Sequence, residues 1–129
     1  MGPLQNGGGQ LPAYGDEHLS LDFQHQTVLL DNQPMTLTRK EYDLLALLVC
    51  HHGQIVPRDA LLMQVWGYSA EIRTRTLDVH VRRLRKKLGT YADRYIETIF
   101  GIGYRFQPFH APRFYQSPPP SRSILALGA

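Results

Sequence analysis

Apolar and polar positions alternate in short runs at the start of the patterned region. Leu19, Leu21 and Phe23 face one way and His18, Ser20 and Asp22 the other, as in a half-buried strand. A second run, Thr27-Val-Leu-Leu30, follows a polar break and ends at Asp31 and Asn32, a turn signal. Met35-Thr-Leu37 is a third short candidate. Closely spaced strands predict an antiparallel meander with one wet face and one face needing a helix.

The period then changes. Thr38 and Glu41 form a capping box, and Tyr42, Leu44, Leu45, Ala46, Leu47, Leu48, Val49 and Cys50 follow, apolar almost all round, up to a stop near Gly53. Such a helix is buried on most sides. Gln54-Ile-Val56 reads as an extended link before Pro57, which suits the first turn of a second helix running to about Trp66. Leu61, Leu62, Val65 and Trp66 are its buried stripe, and Gly67 ends it. A third helix is predicted from about Thr74 to Leu88, with Leu77, Val81, Leu84 and Leu88 on one stripe and Arg75, Val79, Arg82 and Lys86 opposite. Tyr95 to Ile99 and Tyr104 to Phe106, joined through Gly101 and Gly103, read as a hairpin.

Composition sets the limits. The chain has 129 residues and one cysteine, Cys50, so no internal disulfide is possible. Glycine and proline dominate residues 1–17, and proline is dense over residues 108–123. The expected organisation is therefore a disordered linker at 1–17, one domain at 18–109 and a flexible tail at 110–129. No apolar run approaches the roughly 18 residues needed to span a bilayer, and no signal peptide is legible. Both point to a cytoplasmic protein without membrane contact.

Net charge is only +3, but half of the 14 basic residues lie in residues 73–88: Arg73, Arg75, Arg82, Arg83, Arg85, Lys86 and Lys87, with Asp78 the lone acid. A solvating helix face mixes signs to form i,i+4 pairs; this one does not. It favours arginine, whose planar fork suits phosphates and guanine edges. It also carries Val79 and Thr76, small enough to pack on a thymine methyl. The pattern predicts a helix-turn-helix with a long turn, the third helix entering a major groove and the hairpin acting as a wing. Two alternatives stand beside it: a protein-interaction domain whose basic face meets an acidic partner, and an RNA-binding module. The second would want exposed aromatics for stacking, and the basic helix has none.

Four segments carry a family resemblance: Thr38-Arg-Lys-Glu-Tyr-Asp-Leu-Leu45, Val65-Trp-Gly67, Arg75-Thr-Leu-Asp-Val-His-Val-Arg-Arg-Leu-Arg-Lys-Lys-Leu88 and Glu97-Thr-Ile-Phe-Gly-Ile-Gly-Tyr-Arg-Phe106. In order and spacing they resemble the effector domain of OmpR/PhoB-type bacterial response regulators, over about residues 18–107. The resemblance implies an α+β winged helix-turn-helix: an N-terminal antiparallel four-stranded sheet, a three-helix bundle and a C-terminal β-hairpin wing. It implies a transcription regulator of a two-component phosphorelay that binds double-stranded DNA at direct repeats as a dimer. The implied DNA-binding residues are Arg73, Arg75, Thr76, Val79, His80, Arg82, Arg83, Arg85 and Lys86, with Trp66 and Thr98 touching the backbone. The implied RNA polymerase surface is the loop of Gly67, Tyr68, Ser69, Ala70, Glu71 and Ile72. Some members place Arg just after the wing's Thr-Val; here Phe100 stands there, which puts that minor-groove contact in doubt. Such regulators also carry an N-terminal phosphorylated receiver domain. Only 17 residues precede the first predicted strand, so an excised effector domain is expected, with a standalone relative as the alternative.

Other chemistry is expected to be absent. Cys50, His51 and His52 are adjacent on a helix and point about 100° apart, so they do not converge on one metal. Gly101-x-Gly103 is followed by Phe106 and no helix, unlike a dinucleotide fingerprint. No paired carboxylates, nucleophile elbow or phosphate loop is present, so neither enzyme activity nor a cofactor is expected. Two residues stay open: His80, as a phosphate donor or a packing side chain, and Asp78, as a cytosine acceptor or an orienting partner for Arg75 or Arg82.

Overall fold

The computed structural model describes residues 11–67 and 74–119. Four N-terminal strands, β1 (Ala13–Gly15), β2 (Leu19–Asp22), β3 (Thr27–Leu30) and β4 (Gln33–Pro34), precede helix α1 (Arg39–Cys50). Then come β5 (Ile55–Pro57), α2 (Arg58–Trp66), α3 (Thr74–Leu88), a 3-10 turn, the short α4 (Ala92–Tyr95), and the hairpin β6 (Ile96–Ile99) and β7 (Gly103–Phe106). A last strand, β8 (Phe114–Gln116), returns to the N-terminal sheet.

The sheet is antiparallel, in the order β4-β3-β2-β1-β8. Asp31 and Asn32 both take positive φ, 49° and 64°, making the two-residue turn that joins β3 to β4. The fourth strand is therefore Gln33–Pro34, not Met35 to Leu37. Of that candidate only the Met35 amide reaches back, to the Val28 carbonyl at 2.9 Å.

The expected domain limits were too narrow on both sides. β1 lies within the expected linker, and β8 lies within the expected tail, pairing Tyr14 with Tyr115 and making a fifth strand. Local composition there is rich in glycine and proline and shows no period, yet tertiary partners order it. Asp16 is the main one. Its buried carboxylate accepts from the hydroxyls of Tyr14 (2.5 Å) and Tyr95 (2.6 Å) and from the amides of His18, Leu19 and Phe109. Phe109 packs edge-on against His18 at 4.4 Å, and Arg94 lies 4.2 Å over its ring.

Helix α1 starts at the predicted capping box: Thr38 Oγ1 accepts from the Glu41 amide at 3.2 Å, and Glu41 Oε1 from the Thr38 amide at 3.0 Å. Residues 41–49 are all buried. The sheet covers one side of α1, while α2 and α3 pack on it through Leu61, Leu62 and Val65 and through Leu77, Val81, Leu84 and Leu88. Glu41 is fixed by Lys87 of α3, whose ammonium donates to it at 2.5 Å. Burial works against the charge of Glu41, but Lys87 and the Thr38 amide outweigh it and hold the carboxyl below its usual range. Lys40 donates to the Val65 carbonyl at 2.8 Å, satisfying the C-terminal end of α2.

The link at Gln54 to Val56 becomes part of a strand. β5 pairs with β7, giving a three-stranded second sheet in the order β5-β7-β6, and Pro57 serves as the N-cap of α2 rather than its first residue. A Cβ at Gly103 would sit 2.0 Å from the Val56 carbonyl oxygen.

Two outcomes follow. Gly103→Ala pushes β5 from β7 and lowers stability by roughly 1–3 kcal/mol, the range for overpacking; a thermal melt checks this against wild type. Burial opposes the charge of Asp16, but the hydrogen bonds from Tyr14, Tyr95, Leu19 and His18 win and depress its carboxyl below the ordinary 3.8. A depressed carboxyl stabilises the fold above its ordinary value and loses that contribution as pH falls through the folded value. Asp16→Asn should therefore melt lower at neutral pH and show a flatter loss of stability below roughly pH 5, as read from Tm against pH.

Candidate nucleic-acid interface

Helix α3 carries its two faces as the pattern requires. Leu77, Val81, Leu84 and Leu88 are at most 1% exposed, while Arg75, Arg82, Arg83 and Lys86 are exposed and Thr76, Val79 and His80 half-buried. Arg75, Asp78, Val79 and Arg82 line a shallow open depression on the outer face. The exposed arginines sit on a helix whose other side is packed solid, so the row is presented at a fixed angle to the body.

Asp78 does not orient Arg75 or Arg82. It accepts from Arg58 of α2 (2.7 Å) and from the Tyr104 hydroxyl of β7 (2.6 Å). The Arg58 hydrogen bond is the main reason its carboxyl is depressed, with Tyr104 adding to it against a smaller effect of burial. One carboxylate thus joins both helices of the helix-turn-helix to the wing. The sequence hid this because Arg58 and Tyr104 are 20 and 26 residues away.

Arg85 and Thr98 were both expected at DNA. Here they bond each other: Arg85 Nη2 donates to Thr98 Oγ1 at 2.6 Å and to the Ile96 carbonyl at 2.8 Å. Its guanidinium also lies 5.7 Å from the Tyr104 ring centre. Unlike Arg82 and Arg83, Arg85 is half-buried and reaches the wing strand β6.

His80 packs edge-on against Trp66, with ring centres 4.8 Å apart, and its Nδ1 lies 2.9 Å from the Thr76 carbonyl. That contact makes Nδ1 the protonated nitrogen, so His80 ties the end of α2 to α3. Trp66 is half-buried at the same junction. Arg73 and the loop residues Tyr68, Ser69, Ala70, Glu71 and Ile72 lie outside the described residues; Gly67 is exposed at the C-cap of α2.

Cys50, His51 and His52 do not form a cluster. His52 turns its Nδ1 to the Val49 carbonyl at 2.8 Å and packs against Tyr115, while burial pushes the Cys50 thiol up to about 11. Among the described residues no three His, Cys, Asp or Glu side chains converge on a metal position, and no helix is long and apolar enough to cross a membrane.

A three-helix core whose third helix is basic on its outer face, and a hairpin braced to that helix, define a winged helix-turn-helix domain. Residues 32–106 match the family described as "Transcriptional regulatory protein, C terminal". The chain is 45% identical over 78 residues to the response regulator ArlR of Staphylococcus saprophyticus, covering 60% of this chain and 36% of ArlR. Its fold is similar to that of the response regulator DrrB of Thermotoga maritima, an OmpR/PhoB homologue (TM-score 0.68, 32% identity, 74% of this chain and 44% of DrrB). It is also similar to the DNA-binding domain of RstA from Klebsiella pneumoniae, solved in complex with the RstA box (TM-score 0.67, 34% identity, 74% of this chain and 97% of that one). The chain belongs to the family of C-terminal domains of transcriptional regulatory proteins, of OmpR/PhoB type. It spans less than half the length of ArlR and of DrrB.

If Asp78 couples the wing to both helices, Tyr104→Phe loses one charge-assisted hydrogen bond and costs about 1.5–3 kcal/mol at most, less for the exposed part of the carboxylate. Urea unfolding measures the loss, and amide exchange at β7 should quicken with it.

Proposed function

We propose that this chain is a sequence-specific double-stranded DNA-binding effector domain of a bacterial two-component response regulator. Helix α3 enters the major groove, and the wing lies on the flanking backbone or minor groove. The observation that carries this reading is the exposed row of Arg75, Arg82, Arg83 and Lys86, set back to back with the buried stripe of the same helix. A basic row held rigidly on a packed helix suits a fixed lattice of phosphates and base edges. The RstA domain, a structural relative, was solved with a DNA element.

Within this reading Arg75, Val79 and Arg82 face base edges, and Arg83, Lys86, Thr76 and Arg73 serve phosphates. Trp66 and His80 set the angle between α2 and α3 beside the backbone. Arg85 and Thr98 contribute by holding the wing, since each already has the other as partner. Direct-repeat binding as a dimer, RNA polymerase contact through residues 67–72 and control by a receiver domain complete the proposal.

The test is fluorescence anisotropy of the 129-residue chain on duplexes enriched from a random pool, at several salt concentrations. Arg82→Ala and Arg83→Ala should each weaken specific binding by about 1–3 kcal/mol where the side chain makes a bidentate base contact. A phosphate contact instead weakens all sequences alike and reduces the salt slope by about one. Unchanged binding in both variants overturns the docking of α3.

A further inference from the structure

The tip of the wing carries no polar side chain. Phe100 is 90% exposed and Ile102 52% exposed, with only Gly101 between them. The turn does not call for this: its strained position is taken by Gly101, at φ 76°, and nothing in the backbone requires a large apolar group at Phe100. Phe100 and Ile102 together make a small contiguous apolar patch at the tip, a surface that a partner can cover.

That tip is rigid and fixed relative to α3. The Ile102 amide closes the turn on the Ile99 carbonyl at 2.9 Å, and the Ile102 carbonyl accepts from the Arg58 amide at the start of α2 at 3.0 Å. Arg58 in turn holds Asp78 of α3, Tyr104 holds the same carboxylate, and Arg85 holds Thr98. Whatever polymer α3 docks on, the apolar tip is carried to it in a set position. The tip has no side-chain donor, so it is not built to bind phosphate. The apolar surfaces of duplex DNA within a wing's reach are the sugar walls and base steps of the minor groove.

We propose that Phe100, with Ile102 beside it, is an apolar minor-groove contact that wedges against a base step next to the major groove read by α3. This rests on the reading of α3 as the DNA-binding helix. It makes the wing a sensor of deformability, favouring flexible pyrimidine–purine steps at that position. Its contribution does not depend on counterion release.

The experiment uses the 129-residue chain, its Phe100→Ala and Phe100→Leu variants, and the enriched duplex labelled at both ends. Anisotropy gives Kd across salt concentrations, and end-to-end energy transfer gives the bend. Phe100→Ala should weaken binding by about tenfold, leave the slope of log Kd against log salt unchanged and reduce the bend. Phe100→Leu should keep most of the affinity. Both variants should melt like wild type, because the ring touches little of the protein. Equal Kd and bend in wild type and Phe100→Ala overturn the proposal. So does a weakened affinity accompanied by a shallower salt slope, or an effect confined to self-association in sedimentation. If wild type selects no sequence at all, the reading of α3 fails and the wedge falls with it; selective wild-type binding with an inert Phe100 removes the wedge alone.

Discussion

Helix α1 has to be covered on every side. Leu44 to Val49 are no more than 1% exposed, so the helix has no wet face to leave open. The sheet must lie along one side and α2 and α3 along the other. Its polar needs gather at its ends and are met there: the Thr38–Glu41 box at the start, and Lys87 of α3 on the buried Glu41 carboxylate. Removing Lys87's charge would leave Glu41 buried and unpaired, a costly state. The same contact that completes α1 therefore sets where the C-terminal end of α3 lies, and with it the direction of the basic row.

The interface has two parts, and a few polar links decide their relation. Asp78 takes Arg58 and Tyr104, and Arg85 takes Thr98 and the Ile96 carbonyl. Without them, α3 and the wing would share only apolar packing, which tolerates sliding. Hydrogen bonds to a fixed carboxylate do not. A wing that reads a groove beside α3 needs that fixed spacing, because adjacent grooves stand at a set distance along the duplex. Arg85 and Thr98, which the family resemblance marks as DNA-facing, also link α3 to the wing through their mutual hydrogen bond.

The C-terminal return is the other structural decision. Residues 107–116 lie beyond the family match at 32–106, yet they close the β1 edge of the sheet and bring the Phe109 amide to Asp16. The pairing satisfies the backbone groups of β1 and passes the sheet edge to the three-residue β8, a short edge strand. Tyr115 extends the cover over the end of α1, against His52 and Tyr14.

Local pattern was enough for the helices, because their stripes repeat at helical spacing and their boundaries carry local chemistry. Thr38 and Glu41 bond one another across three residues, and Leu77, Val81, Leu84 and Leu88 need no knowledge of a partner to share a face. The exposed row of Arg75, Arg82, Arg83 and Lys86 follows from the same geometry, so the main feature of the candidate site was legible. The edges of the domain were not. Ala13–Gly15 and Phe114–Gln116 are three residues each, too short for a period; the first is a strand between β2 and β8, and the second pairs only with it, across about a hundred residues. The partners of Asp78 and Arg85, and the Trp66 ring against His80, were equally out of sight. A charged or polar side chain announces what it is able to bind, but which group stands within 3 Å of it is decided by how distant segments pack.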